Sequence, residues 1–169
     1  MEAYFALGLR TTSIITVQTN HMKQRLATRW NYSPDRISVV PSTVIINEVS
    51  EASARQYKNQ PFVSYVATGS AHKNHIILAD MMAALVSKGC AIVCMLTVTP
   101  QMVPALTARA ARYGVLDRFV FMGNIPNKDA IALMRCSLAH IMPSKLESFG
   151  LPYFEAMGLG CPVVAADRD

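Results

Sequence analysis

Glu147-Ser148-Phe149-Gly150-Leu151-Pro152-Tyr153-Phe154-Glu155 leads directly into Ala156-Met157-Gly158-Leu159-Gly160-Cys161-Pro162-Val163-Val164-Ala165-Ala166. The two carboxylates have seven residues between them, including a Gly and a Pro. Apolar, strand-like runs precede the stretch (138–142) and follow it (162–166). Pro is favoured at the first helical position, because its missing N–H would have no intrahelical partner there. A helix start at Pro152 puts Glu155 in the first turn and Glu147 in the loop leaving the strand. The helix dipole favours negative charge in a first turn, so Glu155 is expected to stay ionised and to accept hydrogen bonds. Phe149, Gly150 and Leu151 offer backbone N–H groups just before the helix, where anions bind. Such a site suits a ligand with vicinal hydroxyls beside a phosphate: carboxylates for the diols, amides for the anion. Two Glu at this spacing, taken alone, read equally well as a solvated loop charge and a helix-start acid.

The whole stretch says more. Pro143-Ser144-Lys145-Leu146-Glu147, the Phe149-Gly150-Leu151-Pro152 core, Glu155-Ala156-Met157 and the Gly160-Cys161-Pro162-Val163-Val164 tail together resemble the donor-site motif of retaining glycosyltransferases of family 4, which have the GT-B fold. The resemblance implies that Glu147 holds the donor sugar, that Glu155 holds the nucleotide ribose, and that the amides between them meet sugar and phosphate. It covers 54–169 as donor domain and 1–45 as the close of an acceptor-side domain.

Composition is compatible with this. The chain has 169 residues, 51% hydrophobic and 16% charged, enough for one full core. Its mean hydropathy of +0.24 is high, but the apolar residues come in short runs, far below the ~20 that a membrane-spanning helix needs. The N-terminus lacks the basic start and small-residue cleavage site of a leader. Cys90, Cys94, Cys136 and Cys161 form no Cys-x-x-Cys pair and read as reduced core residues, so a cytoplasmic protein is expected. The net charge of +5 is scattered, without a basic block or a zinc-finger or helix-turn-helix pattern, which argues against nucleic acid.

Along the chain, residues 2–9 read as the end of a helix and 13–17 as a β-branched strand. Thr19 reads as the cap of a helix running to about Trp30. Ser33-Pro34-Asp35 is a turn, and 36–40 a second strand. The basic, amphipathic segment 21–30 suits a peripheral membrane contact, although a solvated basic face is the plainer account. A polar connector follows at 46–60, separating 1–45 from 61–169. From Pro61 onward strands (62–67, 91–96, 119–122, 138–141, 163–166) alternate with helices (75–87, 101–113, 127–136, 152–158). That alternation predicts an α/β fold, a doubly wound parallel sheet with its ligand crevice at the C-terminal strand ends.

The first crossover loop of this sheet, Thr68-Gly69-Ser70-Ala71-His72-Lys73-Asn74-His75, can turn closely at Gly69 and Ser70. The family carries a Lys-Asn pair here whose Lys binds the donor diphosphate, and Lys73-Asn74 matches it. Its usual Gly-Arg a few residues earlier is Ala67-Thr68 in this chain, which removes one expected cation; His72 is a partial substitute. Gly123-Asn124 resembles the family's loop near the nucleotide base, and Ser144 stands just before Glu147. His72 and His75 lack an evident third ligand and read as polar loop residues rather than a metal pair. His140 reads as a satisfied core histidine, and Asp167-Arg168-Asp169 as a chance Asp-x-Asp.

The expected function is therefore transfer of a sugar, with retention, from a nucleotide-diphosphate sugar to an acceptor glycan or lipid-linked sugar. Lys73 and Glu147 carry the chemistry, and the resemblance implies no cofactor or metal beyond the donor substrate. A donor-binding module without turnover, and another GT-B sugar-nucleotide enzyme such as an epimerase, are the alternatives. A dehydrogenase is disfavoured, because no Gly-x-Gly-x-x-Gly follows a strand. Relative to the family pattern the front of the acceptor domain and the closing C-terminal helix are absent. The expectation is a fragment, with apolar faces around Ile14-Ile15 and Ile37–Val40 short of cover, prone to associate and with little turnover by itself.

Overall fold

The computed structural model of the chain describes residues 7–9, 11–44, 57 and 60–167. They form two compact units. The smaller holds the described residues up to Val44 with Ser148–Leu151, and the larger holds the others.

In the smaller unit, β1 (Ile15–Val17) and β2 (Ile37–Val39) pair in parallel around α1 (Asn20–Trp30), with Ile15 opposite Ile37. Thr19 caps α1: its backbone is extended and its hydroxyl accepts the Met22 N–H at 3.1 Å, satisfying one of the orphan donors of a helix start. The helix stops where Asn31 turns left-handed at φ 48°, a conformation that Asn tolerates better than most residues. Leu9, Val17, Tyr32 and Ile37 form the core, with Met22, Leu26 and Trp30 packed against it. Ile37 is thus covered, contrary to expectation, because α1 lies over it; Ile14 and Val40 are exposed. Of the helix expected at 2–9, only 7–9 is described. The connector expected at 46–60 lies outside the described residues except for Tyr57 and Gln60.

The larger unit alternates β3 (Phe62–Tyr65), α2 (Ile77–Ser87), β4 (Val93–Leu96), α3 (Pro104–Arg112), β5 (Phe119–Phe121), α4 (Asn127–Cys136), β6 (His140–Met142), α5 (Leu151–Gly158) and β7 (Val163–Ala165). All five strands are parallel, in the order β5-β4-β3-β6-β7. The chain winds outward from β3 to β5, then returns to lay β6 against the other side of β3. This is the doubly wound sheet that the alternation predicts, with its reversal of direction between β3 and β6.

Period-two alternation along β3 divides the core. Val63 and Tyr65 pack with Leu78 and Met82 of α2 and Leu106 and Ala110 of α3. On the opposite face Phe62 and Met95 meet Ala132 and Leu133 of α4. Ile131 and Met134 of α4 then meet Ala156 of α5 and Cys161. Helices cover both faces, so every residue of β3 is buried, as a parallel central strand requires. Several boundaries shift for local reasons. Helix α2 starts at Ile77 rather than residue 75, because Ala71–Lys73 form a 3-10 turn ended by Asn74 at φ 56°. Helix α3 starts at Pro104 rather than 101, after a second such turn at Pro100–Met102.

Candidate functional site

Two loops leave the C-terminal ends of the neighbouring strands β3 and β6, at the point where the winding reverses. Ligands of open α/β sheets bind at this crevice, because adjacent crossovers there depart to opposite faces and leave a gap. The loop after β3 carries Lys73, and the loop after β6 carries Ser144 and Glu147. Lys73 Nζ lies 2.6 Å from Glu147 Oε1, with the side chains 18% and 21% exposed.

Backbone and side-chain hydrogen bonds hold the two loops together. Tyr65 Oη donates to the Lys73 carbonyl at 2.8 Å and lies 3.0 Å from Ser144 Oγ. Asn74 Nδ2 donates to the Pro143 carbonyl at 3.1 Å, and the Lys145 N–H donates to the His72 carbonyl at 2.6 Å. Burial works to raise the pKa of Glu147, but hydrogen bonds from Lys73 and Ser144 and the charges of Lys73 and His72 together outweigh it. The carboxyl is therefore held below its ordinary value and stays an anion. Burial, more than any neighbour, pushes the Tyr65 phenol up to about 12, so it remains a hydrogen-bond donor.

Gly69 lets the first loop lie close against the turn after β4. A Cβ at that position would stand 2.8 Å from Met102 Cβ and 2.9 Å from the Met102 carbonyl oxygen. Beside it is a cleft of about 280 Å3 lined by residues that include Ser70, Asn74, Met102, Leu106 and Lys145. At the Ala67-Thr68 position, the Thr97 hydroxyl accepts the Ala67 N–H at 3.0 Å. Thr68 itself is exposed, with its hydroxyl 3.1 Å from that of Ser70.

The other expected site residues fall as follows. Gly123, at φ 69°, and the exposed Asn124 follow β5, two strands away from β3 in the sheet. Phe149, Gly150 and Leu151 group with the smaller unit; Gly150 takes φ 75° and Leu151 opens α5. Because α5 begins at Leu151 rather than Pro152, Glu155 is its fifth residue, and the first turn holds no acid. The expected dipole stabilisation of Glu155 is therefore corrected: burial is what acts on it, and burial raises its pKa.

The histidines also differ from expectation. His72 is exposed in the 3-10 turn. His75 is not an ordinary loop residue: it is buried, its ring lies 4.8 Å from that of Tyr65, and Nε2 has no hydrogen-bond partner among the described residues. Burial and then the Lys73 charge lower its pKa to about 4. His140 is satisfied only at Nδ1, 3.0 Å from Ser64 Oγ, while Nε2 is buried without a partner among the described residues. Burial lowers its pKa to about 4 as well. Among the described residues no cluster of three or more His, Cys, Asp or Glu could hold a metal ion. Tyr65 lies outside every motif of the sequence, whereas Asn74 belongs to the Lys73-Asn74 pair expected there. The one signal for Tyr65 was a tyrosine closing a strand that reads as buried, where its hydroxyl must find a partner.

The sequence profile of the family described as glycosyl transferases group 1 matches residues 47–169. The chain belongs to the group 1 glycosyl transferases. This group 1 chain is 28% identical to the D-inositol 3-phosphate glycosyltransferase of Corynebacterium glutamicum, over 90% of its own length and 40% of that protein's. It is 28% identical to the 2-deoxystreptamine glucosyltransferase of Streptomyces kanamyceticus, over 94% and 43%. It thus spans under half the length of these curated relatives. Among solved structures, HepE of Anabaena in complex with UDP-glucose is 21% identical and superposes with a TM-score of 0.83, covering 99% of this chain and 48% of that one. The fold is that of GT-B glycosyltransferases. No helix among the described residues is long and apolar enough to cross a membrane.

Proposed function

We propose that the chain serves the transfer of a sugar, with retention, from a nucleoside-diphosphate sugar to an acceptor glycan or lipid-linked sugar. On this reading residues 61–169 form the donor-binding part and residues 1–45 belong to an acceptor-side domain. The observation that carries it is the Lys73–Glu147 pair at the reversal of the sheet, in a chain of the group 1 family. Retention rests on the likeness of the Glu147–Glu155 stretch to family 4.

In such a transfer the bond between the anomeric carbon and the diphosphate oxygen breaks, and its electron pair leaves with the diphosphate. The acceptor oxygen forms the new bond and loses its proton. Fixed positive groups at the leaving oxygen accelerate this step, because they meet charge as it develops. Lys73 is the cation assigned to that role; Glu147 is assigned to accept hydrogen bonds from the sugar hydroxyls, and Glu155 from the ribose. The amides of Phe149 to Leu151, with Ser144, are assigned to sugar and phosphate, and Gly123 and Asn124 to the base. The basic residues of α1, Lys23, Arg25 and Arg29 among them, are consistent with contact to an anionic membrane surface.

Calorimetric titration with UDP- and GDP-sugars is expected to give binding. Charge-assisted hydrogen bonds contribute about 1.5–3 kcal/mol each, so Glu155→Ala should weaken nucleotide binding about ten- to a hundredfold while the fold is kept. A well-folded sample that binds neither nucleotide class would overturn the donor-site assignment.

A further inference from the structure

Lys73 and Glu147 come from different loops, which the Asn74–Pro143 and Lys145–His72 hydrogen bonds join without touching the Lys73 carbonyl or the Ser144 hydroxyl. A third tie lies beneath them and reaches both of those groups. Tyr65, the last residue of β3, is 0% exposed, and its hydroxyl reaches the Lys73 carbonyl and the Ser144 hydroxyl at 2.8 and 3.0 Å. We propose that Tyr65 is a positioning residue for the donor site, its phenolic hydroxyl setting the backbone of Lys73 and the hydroxyl of Ser144, and through them the Lys73–Glu147 pair.

Proton bookkeeping makes the assignment directional. The Lys73 carbonyl can only accept, so Tyr65 is the donor in that bond. The Tyr65–Ser144 contact joins two hydroxyls, either of which can donate. With its one proton directed to the Lys73 carbonyl, the phenolic oxygen is free to accept from Ser144. Burial, which pushes the phenol up to about 12, keeps that proton in place. The charges around this group are Glu147, Lys73 and His72, with Tyr153 and the neutral His75 ring also beside Tyr65. Asn74, donating to the Pro143 carbonyl, ties the same loops one residue further on but touches neither Ser144 nor the Lys73 backbone carbonyl.

Tyr65→Phe keeps the ring in the core and removes only the phenolic hydroxyl. The inference rests on the donor-site reading, so its test has one arm that needs no nucleotide. In that arm the Glu147 carboxyl is titrated by NMR in the parent chain and in Tyr65→Phe, with Ser64→Ala as a control that alters a buried hydroxyl elsewhere on β3. Tyr65→Phe should move the Glu147 pKa upward, and the control should leave it in place. An unmoved Glu147 in Tyr65→Phe sinks the proposal, whatever the ligand. In the second arm UDP is compared with uridine, and GDP with guanosine. A neutral hydrogen bond set against water predicts that Tyr65→Phe weakens the better-bound diphosphate about three- to tenfold and leaves its nucleoside unchanged. Equal losses for both would mean a structural role alone and would also overturn the proposal. A parent chain that binds no nucleotide would overturn the donor reading and leave the Glu147 titration to decide on Tyr65.

Discussion

At the scale of single residues, the site is built from side chains that lie 74 positions apart in sequence and 2.6 Å apart in space. Removing one partner exposes what each was doing. Lys73→Ala should weaken nucleoside diphosphates by at least tenfold and the bare nucleosides hardly at all, because only the former carry charge for the ammonium to meet. Isothermal titration with UDP and uridine checks this, and equal losses would make Lys73 a structural partner of Glu147 only. Lys73 and Glu147 were both legible in the sequence, since each sits in a motif. Tyr65 and His75 were not, because their importance comes from burial, which the end of a strand hints at for Tyr65 and nothing local states for His75.

At the scale of elements, the loop between β3 and α2 is shaped by one close approach. Gly69→Ala would drive a Cβ to 2.8 Å from Met102 Cβ and 2.9 Å from the Met102 carbonyl. One of those neighbours is backbone, so the turn after β4 must move. Overpacking of this kind costs about 1–3 kcal/mol, and chemical denaturation should register a loss of that size. The shift should also carry into the Lys73 turn and weaken nucleoside diphosphate binding. A variant with unchanged stability and binding would show the turn to be pliable. Sequence reading found Gly69 as a turn residue, but the partner it turns against was set by the packing of β4 beside β3.

At the scale of the molecule, protonation is coupled to folding. The pKa values of His75 and His140 fall from 6.5 to about 4 in the folded chain. The unfolded chain takes up protons first as pH drops, so stability is complete above about 6.5 and declines toward about 4, by up to ~3 kcal/mol for each histidine. Glu147, held below its ordinary value, acts in the same sense: its contribution is present above the ordinary carboxyl range and is lost as pH falls through its folded pKa. Glu155, raised by burial, acts in the opposite sense. The melting temperature should therefore drop between about pH 7 and about pH 5, and His140→Gln should flatten the profile. A profile equally steep in the variant would remove His140 from this account.

Short-range chemistry leaves much of this chain legible before it folds. The strand–helix alternation from Pro61, the Thr19 cap, the turn at Ser33–Asp35 and the loop positions of Lys73 and Glu147 are all written in local periodicity and in side chains that bond to nearby backbone. The tertiary structure alone decided that β6 lies against β3 rather than against β5, since five short apolar strands carry no address for their neighbours. That choice brings the Lys73 and Glu147 loops together, buries Tyr65 beneath them and encloses His75. It also places Glu155 where burial, rather than a helix start, governs its charge. Local pattern specifies which elements form; burial and the crossing of one loop over another specify which side chains meet.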